Sequence, residues 1–332
     1  ATAVGLRRRR AFAKAKVVLC ASAGQQLQKE TPWLEILGAV GWALLDIFKG
    51  PPEEAMGKEA PGLLEIGKAP SVALESCQVT DLRSGSVLAA SKLLIPAVPG
   101  KSAGTFLLTH WGDFNSWEVA QQLKTAIREA RVDGKAISLV GIGSVDAGKK
   151  FAEMLELPAE LRIYADPTGA CHEALCFSKG ALPQYKDSLN AYFRVFLMLL
   201  GVGSPGTIRT VLGGYFGNRD LPATATTWID EALRQGAAKG RWPTAVPDMM
   251  GDWKTLELTE VGNGVWDEGF GKGGLRPFEL ATVRLQNMVG GIIANWGDLA
   301  PADDELLVQQ GGALVSDGNG DVSFYYRDKG IL

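Results

Sequence analysis

THWGDFNSWEVA, running from Thr109 to Ala120, is the segment around which the rest of this chain can be arranged. The apolar run Thr105–Thr109 reads as a buried strand, and it leads into an aromatic-glycine pair, Trp111-Gly112. A helix begins near Asn115. Its apolar face is Val119, Leu123, Ala126, Ile127 and Ala130, at helical spacing through Trp117–Ala130. A helix that starts in such a turn aims its unpaired amides and the positive end of its dipole at whatever the turn carries. Here the turn carries Asp113 and Ser116. Asn115 followed by Glu118 has the spacing of a capping box, and Asp113 suits a helix N-terminus. A hydrolytic use of Ser116 with His110 is the chemical alternative, but no orienting acid accompanies the pair in sequence.

Further elements follow in order. Val72–Leu74 and Val87–Ala89 read as short strands flanking Asp81–Ser86. Ala136–Gly141 is a second buried strand, and Asp146–Leu155 a helix with Asp146 as its N-cap. Leu161–Tyr164 is a short strand and Gly169–Phe177 a helix. Near the C-terminus, Ala313–Ser316 and Val322–Arg327 flank Asp317-Gly-Asn-Gly-Asp321, a hairpin with turn residues suited to positive φ. The order strand, helix, strand, helix, long excursion and antiparallel hairpin predicts an α/β thioredoxin-like fold: a mixed central sheet flanked by helices. Gly141-Ile142-Gly143 follows a strand, yet it makes only a partial dinucleotide fingerprint and supports no nucleotide site.

The excursion, about 191–301, is loop-rich. Tyr192–Leu200 and Leu285–Trp296 are apolar, Trp228–Arg234 looks helical, and Lys239–Gly274 is rich in Gly, Pro and Trp with little periodicity. Long segments of this kind are usually functional or partner-bound. Trp242, Trp253, Trp266 and Trp296 are therefore candidate docking residues.

The N-terminal region has a different character. No acidic residue precedes Glu30, whereas Arg7 to Arg10, Lys14, Lys16 and Lys29 are basic and small residues fill the gaps. An Arg-rich, acid-free leader ending in Val18-Leu19-Cys20-Ala21 looks like a plastid transit peptide, with a basic arm as the alternative for residues 1–30. Thr31-Pro32 then opens an apolar helix through Phe48. The uncharged run between Glu35 and Asp46 is ten residues, too short to span a bilayer. Trp33, Trp42 and Phe48 suit contact with a partner groove or a membrane interface. Gly50–Gly67 reads as a linker, so 31–68 is helix plus linker, and the domain proper occupies 69–332.

Composition adds limits. The 332 residues are 46% hydrophobic and 21% charged, with net charge −3, which gives no argument for nucleic acid. Cys20, Cys77, Cys171 and Cys176 show no disulfide-framework spacing. With His110 and His172 the only histidines, no metal site or cofactor is expected. Cys171 and Cys176, on one predicted helix, would point about 140° apart, which argues against a disulfide between them.

Four segments, THWGDFNSWE (109–118), VGIGSVDAGKKFAEMLELP (140–158), YADPTGACHEALCFSKG (164–180) and QQGGALVSDGNGDVSFYYRDKG (309–330), resemble the peroxiredoxin-like AhpC/TSA family, often called peroxiredoxin-like 2, of the thioredoxin superfamily. The resemblance implies a Cys-x-x-Cys redox pair in the turn, and the two cysteines would fall on Asp113 and Ser116. Neither side chain can form a sulfenic acid or a disulfide. Gln310-Gly311-Gly312 stands where thioredoxins proper place a cis-proline, which favours the peroxiredoxin-like branch. The expectation is a redox-inactive protein, with no catalytic residues at the turn. It would serve as a structural, assembly or docking subunit of a larger chloroplast complex, stromal or thylakoid-associated, a thylakoid photosynthetic complex being one candidate. Its partners would be other protein subunits, with peripheral membrane or lipid contact. The alternative is a thiol-dependent antioxidant enzyme that uses Cys171, Cys176 or Cys77 instead.

Overall fold

The computed structural model describes residues 69–97, 100–128, 130–199 and 278–328, with 232, 235–238 and 240. The elements are α1 (Ala69–Leu74), β1 (Gln78–Asp81), β2 (Val87–Ala89), β3 (Ala103–His110), α2 (Phe114–Arg128), β4 (Ile137–Ile142), α3 (Val145–Met154), β5 (Arg162–Asp166), α4 (Ala170–Ala174), α5 (Ala191–Leu199), α6 (Phe278–Ala294), α7 (Trp296–Leu299), β6 (Gly312–Ser316) and β7 (Val322–Arg327). The strands form one mixed seven-stranded sheet in the order β2-β1-β5-β4-β3-β6-β7. β3, β4 and β5 are parallel, and every other pairing is antiparallel. The parallel strands sit at the centre because the crossover helices α2 and α3 cover them.

Side chains alternate across the sheet and divide the core in two. On one face Leu108, Leu139, Ile163 and Ala165 pack with Trp111, Trp117 and Phe151, beneath α2 and α3. On the other, Leu107, Val140 and Tyr164 pack with Leu74, Cys77, Cys171 and Phe177, beneath α1 and α4. The first face is completed from within the excursion. Val283, Met288 and Ile292 of α6 join that cluster, and buried Arg284 donates to Glu118 of α2 at 3.0 Å and to Gln121. The described part of the excursion is thus built into the domain.

Several boundaries differ from the sequence reading. Val72–Leu74 lies in helix α1, and the strand comes later, at Gln78–Asp81. A three-residue apolar run has no period long enough to separate helix from strand. The N-cap of α3 is Ser144, whose hydroxyl accepts from the Ala147 amide at 3.1 Å, while Asp146 stands inside the first turn. Helix α4 ends at Ala174, short of the expected Phe177. Cys176 takes φ 53°, and the Phe177 amide reaches back to the His172 carbonyl at 2.9 Å, a left-handed helix stop. Cys176 is therefore outside the helix, and the expected shared-helix geometry with Cys171 does not apply. Residues 1–68 lie outside the described residues, as do Trp242, Trp253 and Trp266.

Candidate functional site

β3 delivers Thr109 and His110 to the end of the sheet, where the chain turns through Trp111-Gly112 into α2. Trp111 is fully buried and fixes the turn. Its ring lies on glycines: a Cβ at Gly141 would come within 2.2 Å of it, and one at Gly143 within 2.5 Å. The Trp111 carbonyl accepts the indole N–H of Trp117 at 2.8 Å, which ties the turn to α2.

Asp113 caps the helix. Its Oδ1 accepts from the Asn115 amide at 2.9 Å, and its carbonyl accepts from the Trp117 amide at 3.2 Å. Asn115 does not act as the cap. Its side-chain amide donates to Asp328 Oδ2 at 3.1 Å, and Glu118 holds Arg284, so the capping-box reading fails. Burial pushes the Asp113 carboxyl up to about 6, against the opposing bonds from the Asn115 amide and the Thr109 hydroxyl. Ser116, fully buried, shares a 2.8 Å hydrogen bond with Thr109 Oγ1. A short hydroxyl chain therefore occupies the helix start, where a nucleophile would need to be free.

His110 stands apart from that chain. Its ring meets the edge of Trp296 at 5.7 Å, and burial pushes its pKa down to about 3. Among the described residues His110 Nδ1 has no hydrogen-bond partner, and Ser116 is bonded to Thr109, so the hydrolytic pairing is not formed. Trp296 packs on Gly112, where an added Cβ would sit 3.0 Å from the indole, and on Leu299 of its own short helix. This docking candidate is half-buried against the turn.

A cleft of about 460 Å³ opens beside the helix start, between α2 and the β6–β7 hairpin. Phe106, Val119, Leu123 and Tyr326 give it apolar walls, while Thr109, Asn115, Ser116 and Asp328 converge at its polar end. Gly311 lets the hairpin approach: a Cβ there would meet the Leu107 carbonyl oxygen at 2.3 Å. Concave, mostly apolar spaces with a few convergent polar groups are the usual form of a binding site.

The thiols are placed elsewhere. Cys171 is fully buried on the α4 side of the sheet, and burial, with the Asp166 carboxylate next in effect, pushes its thiol far up. Cys77 is buried and shifted up for the same first reason. Cys176 is exposed. Sequence reasoning did not find Thr109, Asp328 or Arg284 as partners of the turn. Thr109 could have been found from its position at the strand end, whereas Asp328 and Arg284 reach the turn only through tertiary structure. Among the described residues, no group of His, Cys, Asp and Glu could hold a metal ion, and no helix is long and apolar enough to cross a membrane.

A sequence comparison decides the family. The model of the AhpC/TSA antioxidant enzyme family matches residues 121–330. The chain belongs to this family. The mixed sheet with flanking helices is the thioredoxin-like fold expected for it. The match starts at Gln121, inside α2, so Asp113 and Ser116 lie outside the matched residues. No curated protein matches the chain.

Proposed function

We propose that this AhpC/TSA-family chain is inactive in redox chemistry at the turn and serves as a structural, assembly or docking subunit of a larger plastid complex. The observation that carries the reading is the occupancy of the helix start. Asp113 is used as the cap and Ser116 is bonded to Thr109, so both positions the family resemblance assigns to thiols hold groups absorbed by the fold. The cleft beside them remains as a surface for engagement without chemistry. The plastid and complex parts of the proposal rest on the basic, acid-free leader, on the apolar segment 31–48 and on the Gly-, Pro- and Trp-rich segment 239–274. A photosynthetic complex at the thylakoid is the assembly to test first.

Native-gel fractionation of gently solubilised organelle membranes, followed by mass spectrometry for this chain, provides the test. The expected result is co-migration with a large complex. Recovery only as a small soluble species would overturn the subunit reading. The exposed Cys176 supports the rival reading, a thiol-dependent antioxidant enzyme. It predicts hydroperoxide consumption that Cys176→Ser abolishes.

A further inference from the structure

The thiol-bearing face of the sheet holds a second arrangement that the turn does not involve. Cys77 follows α1, and Cys171 lies in α4, which packs beside it. Cys77 Sγ contacts the Ala170 carbonyl oxygen at 3.5 Å. That oxygen belongs to the peptide unit joined to Cys171, so covalent geometry alone places the Cys77 sulfur within about 6.5 Å of the Cys171 Cα. The two side chains share one buried cluster, and each thiol lies within interaction range of the other. Around them Asp166 is already committed. Its Oδ2 accepts from the Cys171 amide at 2.8 Å, its Oδ1 from the Ala170 amide at 3.1 Å, and it faces His172 Nδ1 at 3.9 Å. His172 in turn bonds the Leu108 carbonyl through Nε2 at 2.7 Å.

We propose that Cys77 and Cys171 are a disulfide site, a covalent clasp between α1 and α4 that is separate from the turn. The placement favours the bond: the two sulfurs belong to one buried cluster at the α1–α4 contact, and a disulfide, like a thiol, is neutral and suits burial. In the reduced pair the Cys77 S–H has only long contacts, at 3.5 and 3.8 Å, with the Ala170 and Ala73 carbonyls. The oxidant is a low-molecular-weight disulfide. Cys77, the less buried of the two, loses its proton and attacks one sulfur of that disulfide, and a small thiolate leaves. Cys171 then loses its proton and attacks the Cys77 sulfur, and the second small thiolate leaves. The two released protons convert both leaving groups to thiols, so two protein thiols and one disulfide become one protein disulfide and two small thiols. Because both cysteines are buried, exchange requires opening of α1, which makes the folded pair slow to form or break the bond.

The test uses the full chain carrying Cys20→Ser and Cys176→Ser, so that only this pair remains. The denatured, reduced protein is refolded in buffers of reduced and oxidised glutathione, trapped with N-ethylmaleimide and digested for mass spectrometry. Refolding in the buffer removes the question of access. The expected result is a near-stoichiometric Cys77–Cys171 cross-linked peptide in the oxidising buffers. The urea midpoint should also rise over that of the reduced chain, and Cys77→Ala should lose both effects. Soluble, folded protein with both cysteines recovered as maleimide adducts or as glutathione mixed disulfides in every buffer would overturn the proposal. A cross-link with no rise in midpoint would also overturn it, because the bond would then not fit the native geometry.

Discussion

The two faces of the central sheet differ in what they do with reactive positions. On the α2 side, the helix start offers a dipole, a buried turn and an adjoining cleft, and its residues are Asp113 and Ser116. On the α4 side, two thiols are present, but both are buried and shifted away from ionisation. One face has the environment that activates a thiol and no thiol to activate. The other keeps thiols in an environment that suppresses them. A family fold can therefore persist when the chemistry usually associated with it is no longer assembled, because packing and reactivity depend on different residues.

The most severe way to disturb only the turn face is Trp111→Ala. Trp111 is fully buried over Gly141 and Gly143, so its removal should cost ~3–5 kcal/mol in chemical denaturation. Next in size, Arg284→Ala should cost ~3 kcal/mol, because it removes the buried guanidinium that pairs with Glu118, whose side chain is only 12% exposed. A loss under ~1 kcal/mol would mean that α6 is held by its apolar face alone. By contrast, Lys150→Ala removes a partner of Asp298 whose pair is exposed on both sides, and should cost under ~1 kcal/mol.

The pH dependence separates Asp113 from His110. The folded chain holds the Asp113 proton up to about pH 6, while the unfolded chain releases it near 3.8. The folded state binds the extra proton, so this group makes stability fall as pH rises from about 4 to about 6. His110 acts in the opposite direction: the unfolded chain takes a proton near 6.5 and the folded chain only near 3, so stability falls as pH falls through that window. Asp113→Asn should remove the first slope and leave the second, which urea midpoints measured from pH 4 to 7 would show. An unchanged profile would mean that Asp113 is ionised in the folded chain.

Much of the fold was legible because its strongest signals are local. The buried strands β3 to β5 and the faces of α2 and α3 follow from periodicity, and the hairpin follows from Asp317-Gly-Asn-Gly-Asp321. The helix ends were harder to read. α2, α3 and α4 are followed by Ala130, Glu156 and Cys176 at positive φ, where glycine would have marked the stop. The location of the turn was readable, but its hydrogen bonding was not. Asp328 arrives from just after the last strand and Arg284 from α6, more than 160 residues away from their partners, and no local pattern encodes such contacts.

The most direct test of the contrast between the faces is hydroperoxide consumption by the purified full-length chain in the presence of a dithiol reductant. The account predicts loss of peroxide no faster than with the reductant alone, since the turn has no thiol and the buried pair is suppressed. Sustained turnover that is abolished by Cys77→Ser, Cys171→Ser or Cys176→Ser would contradict it.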